Sequence, residues 1–180
     1  MKRFLKAGLI ILSIVIVLFL LATWYKYEFS MEIADAYQVN SPYLESKLLI
    51  ATQGSDFKNA IVDGVVNHFK GDTIFIDIMD ISGLNKVKPE DYDAILILHT
   101  WENWKPPFVV KRFVENTTDQ HDKMLVLTTS GQGSYTIKQV NTLYNLEEID
   151  ALVGESNVKN VKSFVKAINV RLQELLTGEN

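Results

Sequence analysis

The distribution of apolar and polar positions divides the chain into an N-terminal apolar segment and a longer body in which short apolar runs alternate with helical patterns. No charged residue occurs from Ala7 to Trp24. At about 1.5 Å per residue, a helix of this length just crosses a hydrocarbon core of roughly 30 Å. The pattern therefore predicts one transmembrane helix over residues 7–24, which places a lipid bilayer among the partners of the chain.

The body contains five short runs rich in apolar or β-branched residues, which predict strands buried on both faces of a parallel sheet. These runs are Lys47–Thr52, Thr73–Met79, Ala94–Leu98, Lys123–Thr128 and Ile149–Val153. Between and after them, apolar residues recur at helical spacing. Helices are predicted at Phe57–Phe69, after Pro106-Pro107, after the capping-box sequence Thr136–Gln139, and at Val158–Leu175. The alternation predicts an α/β domain over residues 47–177 with helices on both faces of the sheet.

Charges that flank the apolar segment indicate its orientation. Lys2, Arg3 and Lys6 precede it, whereas Lys26 and Glu28 cancel after it. Because positive flanks stay in the cytoplasm, residues 1–6 are predicted to be a cytoplasmic basic tail. The body then lies outside the cytoplasm, in a single-pass protein of the cell membrane. A cleaved signal peptide is the alternative, although residues 21–24 match a cleavage site weakly.

Residues 25–46 are mostly polar, and their scattered apolar positions have no clear period. They are closed by Asn40-Ser41-Pro42, a sequence typical of turns. The segment is therefore predicted to be a linker between the membrane and the domain.

Composition excludes several classes of protein. The chain is 47% apolar and contains no cysteine, which excludes a disulfide framework, thiol nucleophiles and zinc–thiolate sites. The net charge is −4 although the first four charges are positive, so the body is acidic and nucleic acid is not an expected partner. The three histidines have no metal-ligand spacing, and no metal is expected. Neither a G-x-S-x-G elbow nor an early G-x-G-x-x-G motif is present.

Ligands of open parallel sheets bind beyond the carboxyl ends of the strands. Three loops of the body are predicted to meet there, after the first, third and fourth strands. Their candidate binding residues are Thr52, Gln53, Gly54, Ser55, Asp56 and Phe57 in the first loop, Thr100, Trp101, Glu102, Asn103 and Trp104 in the second, and Ser130, Gly131, Gln132, Gly133 and Tyr135 in the third.

The order and spacing of these segments resemble the flavodoxin family over roughly residues 47–176. Asp91-Tyr92-Asp93-Ala94-Ile95 through Thr100-Trp101 is similar to the family's third strand and aromatic loop, and Thr129-Ser130-Gly131-Gln132-Gly133 resembles the next loop. The resemblance implies a three-layer flavodoxin-like sandwich with a five-stranded parallel sheet in the order 2-1-3-4-5.

The resemblance also implies a site for flavin mononucleotide (FMN). The first loop, residues 52–57, would hold the phosphate. Trp101 or Trp104 would lie on one side of the isoalloxazine ring, with residues 131–133 and Tyr135 on the other.

Two positions depart from the family pattern. Asp56 stands where the family typically has a threonine, and Gln53 replaces a hydroxyl residue. A carboxylate at 4 Å from a phosphate is repulsive by roughly 1–4 kcal/mol, depending on the effective dielectric. Asp56 is also predicted to be the N-cap of the following helix, where its side chain would occupy N–H groups that a phosphate needs.

Three hypotheses follow. The first is a membrane-anchored FMN-binding domain that exchanges electrons with a redox or envelope protein partner. The second, motivated by Asp56, is a cofactor-free module that presents the Trp101–Trp104 loop to an envelope ligand. The third is an enzyme that uses His99 as an acid or base at the end of the third strand.

Overall fold

The computed structural model describes residues 2–29, 31–101, 105–130 and 149–178. The chain divides into two compact units, Met1–Met31 and Glu32–Asn180.

The first unit is a single helix, α1 (Lys2–Phe29). Its segment Lys6–Tyr25 has a mean hydropathy of 2.7, and its side chains are not buried. The hydroxyls of Ser13 and Thr23 are satisfied within the helix, because Ser13 donates to the Ile10 carbonyl (2.8 Å) and Thr23 to the Phe19 carbonyl (2.9 Å). By length and composition, α1 is able to cross a membrane.

The second unit is built on one sheet. Its strands are β1 (Tyr37–Val39), β2 (Ser46–Thr52), β3 (Ile74–Asp80), β4 (Ala94–Thr100), β5 (Met124–Ser130) and β6 (Asp150–Glu155). They are ordered β1-β3-β2-β4-β5-β6, and every pair is parallel except the antiparallel pair β1–β3. The helices described in this unit are α2 (Asp56–Phe69), α3 (Phe108–Asn116) and α4 (Val161–Thr177), with short 3₁₀ turns between elements. The helix predicted after Thr136–Gln139 lies outside the described residues.

Alternate side chains of the central strands enter two hydrophobic cores, one on each face of the sheet. On one face, Leu48 and Ile50 of β2 pack in a core with α2 and α4. On the other face, Leu49 and Ala51 pack in a core with α3 and with the 3₁₀ turn Ile81–Lys86. The structure therefore confirms the three-layer α/β sandwich, and the five parallel strands have the predicted order.

The sheet has a sixth described strand that the sequence pattern did not predict. β1 pairs with β3 from Tyr37 opposite Ile78 to Val39 opposite Ile76. The preceding backbone is fixed as well, since the Ala34 N–H donates to Oδ2 of Asp80 at 2.9 Å. The predicted linker over residues 25–46 is therefore wrong from Glu32 onward. Residues 32–40, here called the N-terminal strap, belong to the α/β unit.

The strap escaped prediction because a short edge strand needs little apolar surface of its own. β1 has only three residues, and the first two of them are exposed. After β1 the chain turns at Asn40, which has a φ of 68° and donates its side-chain N–H to the Ile74 carbonyl at 2.7 Å. Asparagine tolerates this left-handed conformation better than most residues.

The contact between α2 and α4 provides a test of the packing. A Cβ atom at Gly64 of α2 would lie 2.6 Å from a methyl group of Val165 of α4, and the short valine side chain cannot turn away from it. We expect Gly64→Ala to cost about 1–3 kcal/mol through overpacking, of which the better helix propensity of alanine recovers less than about 1 kcal/mol. Urea unfolding of the detergent-solubilised chain measures the difference.

Gly71→Ala is the matched control, because no atom lies within 4 Å of the added Cβ. Its free energy of unfolding should stay within about 0.5 kcal/mol of the parent. An unchanged or raised stability of Gly64→Ala would contradict the described packing of α2 against α4.

Candidate functional site

The candidate site lies at the carboxyl ends of β2, β4 and β5, which are adjacent in the sheet. Thr52, at the end of β2, is in register with Leu98, and Thr100, at the end of β4, is in register with Thr129. The predicted first loop and the starts of the other two loops therefore meet at one edge of the sheet. The remaining predicted residues, Glu102, Asn103, Trp104, Gly131, Gln132, Gly133 and Tyr135, lie outside the described residues.

Gln53 ties the first loop to β4. Its backbone N–H donates to the Leu98 carbonyl at 3.2 Å, and its side-chain Oε1 accepts from the Thr100 N–H at 2.7 Å. The hydroxyl of Thr52 donates to the Gln53 carbonyl at 3.0 Å. Both side chains are buried. Gln53 thus extends the hydrogen bonding of the sheet beyond the end of β2.

Gly54 contacts the N-terminal strap. Its N–H donates to the Glu32 carbonyl at 2.7 Å, and the two residues form an isolated antiparallel bridge. A Cβ atom at position 54 would lie 2.9 Å from that carbonyl oxygen, so only glycine permits this approach. The strap therefore engages an N–H group of the predicted phosphate loop.

Helix α2 is capped by Ser55, not by Asp56. The Ser55 Oγ accepts from the Lys58 N–H at 3.2 Å. Asp56 is the first residue of the helix, and its side chain is exposed. The predicted N-cap was wrong by one residue, because Asp56 already has helical geometry and the extended backbone needed for a cap occurs at Ser55. Phe57 turns inward and packs edge-on against Phe164 of α4.

Lys58 is a buried residue beside the first loop that the sequence pattern did not single out. Its side chain is 1% exposed, and its Nζ lies 3.5 Å from Oγ of Ser55. It occupies the third position of α2, near the positive end of the helix dipole, where a cation is disfavoured. A lysine in the first turn of the predicted helix is the feature of the sequence that could have drawn attention to this residue.

His99 is fully buried at the end of β4. Its Nε2 lies 3.1 Å from the Thr128 hydroxyl on β5. Burial, reinforced by the positive charge of Lys58, lowers the pKa of His99 from 6.5 to about 3, although a hydrogen bond with the Thr100 backbone opposes the shift. The imidazole is therefore neutral near pH 7.

The starts of the second and third loops are also buried. Trp101 is 9% exposed and packs in the core on the α3 side. Its backbone N–H donates to the Thr129 carbonyl at 3.0 Å. The hydroxyls of Thr100 and Thr129 lie 2.9 Å apart. Ser130 is 8% exposed, and its Oγ has no hydrogen-bond partner among the described residues. The hydroxyl of Ser130 is thus a polar group at this edge that a ligand can use.

The described part of the first loop does not form a backbone cradle for the phosphate of FMN, because the N–H groups of Gln53 and Gly54 already donate to protein carbonyls. On the strap side of the loop, the lining of a cavity of about 280 Å³ includes Glu32, Asp35 and Asp63, whose carboxylates repel an anion. Nζ of the buried Lys58 lies 3.5 Å from Oγ of Ser55.

No protein-family model and no curated protein matches this sequence. Solved structures do match. A flavodoxin from the domain Archaea superposes with a TM-score of 0.50 at 9% identity, covering 72% of this chain and 98% of that one. A flavodiiron core from Synechocystis sp. PCC6803 superposes with a TM-score of 0.53 at 11% identity, covering 76% of this chain and 38% of that one. The chain therefore has the flavodoxin-like fold in a divergent sequence.

Because the pKa of His99 is lowered in the folded chain, we expect the stability of the fold to depend on pH. The imidazole of His99 takes up a proton near pH 6.5 in the unfolded chain and only near pH 3 in the folded chain. Between these pH values the unfolded chain binds more protons, so acidification favours unfolding. His99 should therefore lower the free energy of unfolding by up to about 1.4 kcal/mol per pH unit as the pH falls from about 6 to about 4.

Urea unfolding of the parent and of His99→Gln over this pH range measures that contribution. The parent should lose stability more steeply than the variant as the pH falls, because glutamine does not titrate. Two parallel stability profiles would show that His99 is accessible to protons in the folded state.

Proposed function

We propose that this protein is a membrane-anchored flavodoxin-like domain that binds FMN at the carboxyl ends of β2, β4 and β5 and exchanges electrons with a membrane or envelope partner. The observation that carries the proposal is the meeting of the three predicted loops at one edge of a sheet with the flavodoxin strand order. In an open parallel sheet, that edge is where a ligand binds.

Each part of the edge has a role in this proposal. Gln53 joins the ends of β2 and β4 and so fixes the floor of the site. Ser130 supplies a buried hydroxyl at the end of β5. The neutral His99 adds no charge beneath the ligand. Bound FMN would supply the redox chemistry, and the chain would supply its orientation and the exclusion of water.

The bilayer partner is proposed from α1, and the side of the membrane from the charges around it. The span Lys6–Tyr25 is apolar throughout its centre, and Lys2 and Arg3 precede it. The α/β unit would then be extracytoplasmic, which restricts its electron partners to proteins or carriers of the membrane and the envelope.

FMN binding is tested by titrating FMN into the detergent-purified chain and following flavin fluorescence. We expect quenching at micromolar FMN. Ser130→Ala should weaken binding by roughly 5- to 10-fold, the effect of losing one hydrogen bond of about 1 kcal/mol. Ser163→Ala, at an exposed position of α4, is the matched control and should bind like the parent. Absence of quenching by the parent chain would refute the FMN proposal.

A cofactor-free binding module is the second candidate function. It is favoured by the N–H groups of Gln53 and Gly54, which are engaged by Leu98 and by the strap instead of being available to a ligand. In that case the parent does not quench flavin fluorescence, whereas Asp56→Thr, which removes a carboxylate from the helix start, gains FMN affinity. Flavin binding by the parent would exclude this candidate.

Membrane topology is tested by cysteine labelling, since the chain has no cysteine of its own. Lys2→Cys and Tyr43→Cys each introduce one thiol, and the side chain of Tyr43 is 94% exposed. In spheroplasts of a bacterial host, a membrane-impermeant maleimide should label Tyr43→Cys, and should label Lys2→Cys only after permeabilisation. The reverse pattern, or recovery of the protein in the soluble fraction, would contradict the proposed anchoring.

A further inference from the structure

The chain enters the α/β unit at the carboxyl edge of the sheet, the same edge that carries the candidate site. The first residue of this unit is Glu32, whose carbonyl accepts the Gly54 N–H just beyond the end of β2. Two residues later, the Ala34 N–H donates to the carboxylate of Asp80 at the end of β3. These hydrogen bonds hold the start of the strap beyond the carboxyl ends of two parallel strands.

In the proposed membrane-anchored chain, this entry point is tethered close to the bilayer. The apolar span ends at Tyr25, and Glu32 follows seven positions later in the sequence. Seven residues reach about 25 Å at most, even when they are fully extended. A short tether also raises the effective concentration of a surface at its other end, so weak contacts with that surface are sufficient for docking.

Three large apolar side chains are exposed at the same edge. Ile33, in the strap between Glu32 and Ala34, is 82% exposed. Phe108, the first residue of the helix that follows β4, is 75% exposed, and Val158, three residues after the end of β6, is 74% exposed. We call Ile33, Phe108 and Val158 the apolar rim. Because β2 and β6 are three strand spacings apart, roughly 14 Å, the rim extends along the sheet edge and suits a broad surface better than a small ligand.

The charges around the apolar rim cancel. Within three positions of its residues, the sequence has three carboxylates and three lysines, namely Glu32, Asp35, Glu155, Lys105, Lys111 and Lys159. Attraction to an anionic surface is therefore not a source of binding energy here, whereas burial of the apolar side chains at a lipid–water interface is. Single exposed apolar residues are common on soluble domains, but here three of them share the edge at which the tether arrives.

We propose that the apolar rim docks on the surface of the bilayer that anchors the chain, and that its side chains enter the lipid–water interface of zwitterionic phospholipids. The inference rests on the membrane anchoring of the proposed function and is independent of FMN. Docking places the ends of β2, β4 and β5 at the membrane surface. An electron carrier dissolved in the bilayer can then reach the candidate site without crossing bulk water.

Because the chain has no cysteine, single thiols can report on the contact with lipid. Ile33→Cys, Phe108→Cys and Val158→Cys each carry the environment-sensitive fluorophore NBD in the full chain, reconstituted in phosphatidylcholine nanodiscs. Tyr43→Cys is the matched control, since Tyr43 is also highly exposed but lies between β1 and the start of β2, at the opposite edge of the sheet. We expect blue-shifted emission, and quenching by nitroxide groups on the lipid acyl chains, at the three rim positions and not at position 43.

The outcomes separate docking from anchoring. Rim positions that behave like position 43 would overturn the inference, while maleimide labelling of Tyr43→Cys but not of Lys2→Cys in spheroplasts would leave the proposed anchoring standing. Recovery of the protein in the soluble fraction would overturn both. Protection of the rim positions from maleimide in native membranes, without quenching in nanodiscs, would assign the edge to an envelope protein and overturn the inference.

A second measurement separates docking by the apolar side chains from mere proximity to the bilayer. The Val158→Cys reporter is combined with Ile33→Ser and Phe108→Ser, and in a control with Tyr43→Ser. Lipid quenching should be lost in the first background and kept in the second, and quenching kept in both would overturn the inference. The replaced side chains are exposed, so the urea midpoint should not change. If the double replacement fails to fold, each single replacement is tested, and each should weaken the quenching.

Discussion

Burial of the central strands on both faces is the constraint on which the α/β unit depends. In β4 every residue from Ala94 to His99 has no exposed surface, and β2 is buried in the same way from Leu48 to Ala51. Such strands can carry polar side chains only near their ends, because an unsatisfied polar group in the middle would cost several kcal/mol, of the order of 2–7. The polar residues of β2 and β4 accordingly lie at the strand ends, among them Thr52, His99 and Thr100 at the carboxyl edge.

The N-terminal strap changes the character of that edge. By pairing with β3 and accepting the Gly54 N–H through the Glu32 carbonyl, it joins the first loop to a segment that precedes β2 in the chain. The first loop is thereby held in one conformation, and the Gly54 N–H is used within the protein. In this chain with the flavodoxin strand order, the Gly54 N–H at the first loop is thus bonded to the strap and not available to an anion.

The electrostatics of the edge follow from the same burial. Burial lowers the pKa of His99 to about 3, and the positive charge of Lys58 adds to this effect. The imidazole is therefore neutral near pH 7. Lys58 is itself 1% exposed at the start of α2, in a protein whose net charge is −4.

The sequence by itself determined the apolar helix, the five central strands and the positions of the three loops that follow strands one, three and four. These features are local, because hydrophobic periodicity within one segment reports whether its faces are buried. The order of the strands was implied by the resemblance to flavodoxins and not by periodicity. Only the tertiary structure decided the pairing of the strap with β3, the cap at Ser55 in place of Asp56, and the burial of Lys58. The pairing of the strap and the burial of Lys58 depend on which distant segments meet, and a periodic pattern along one stretch of chain does not report its neighbours in space. The cap depends on which residue adopts the extended backbone before α2, which periodicity does not report either.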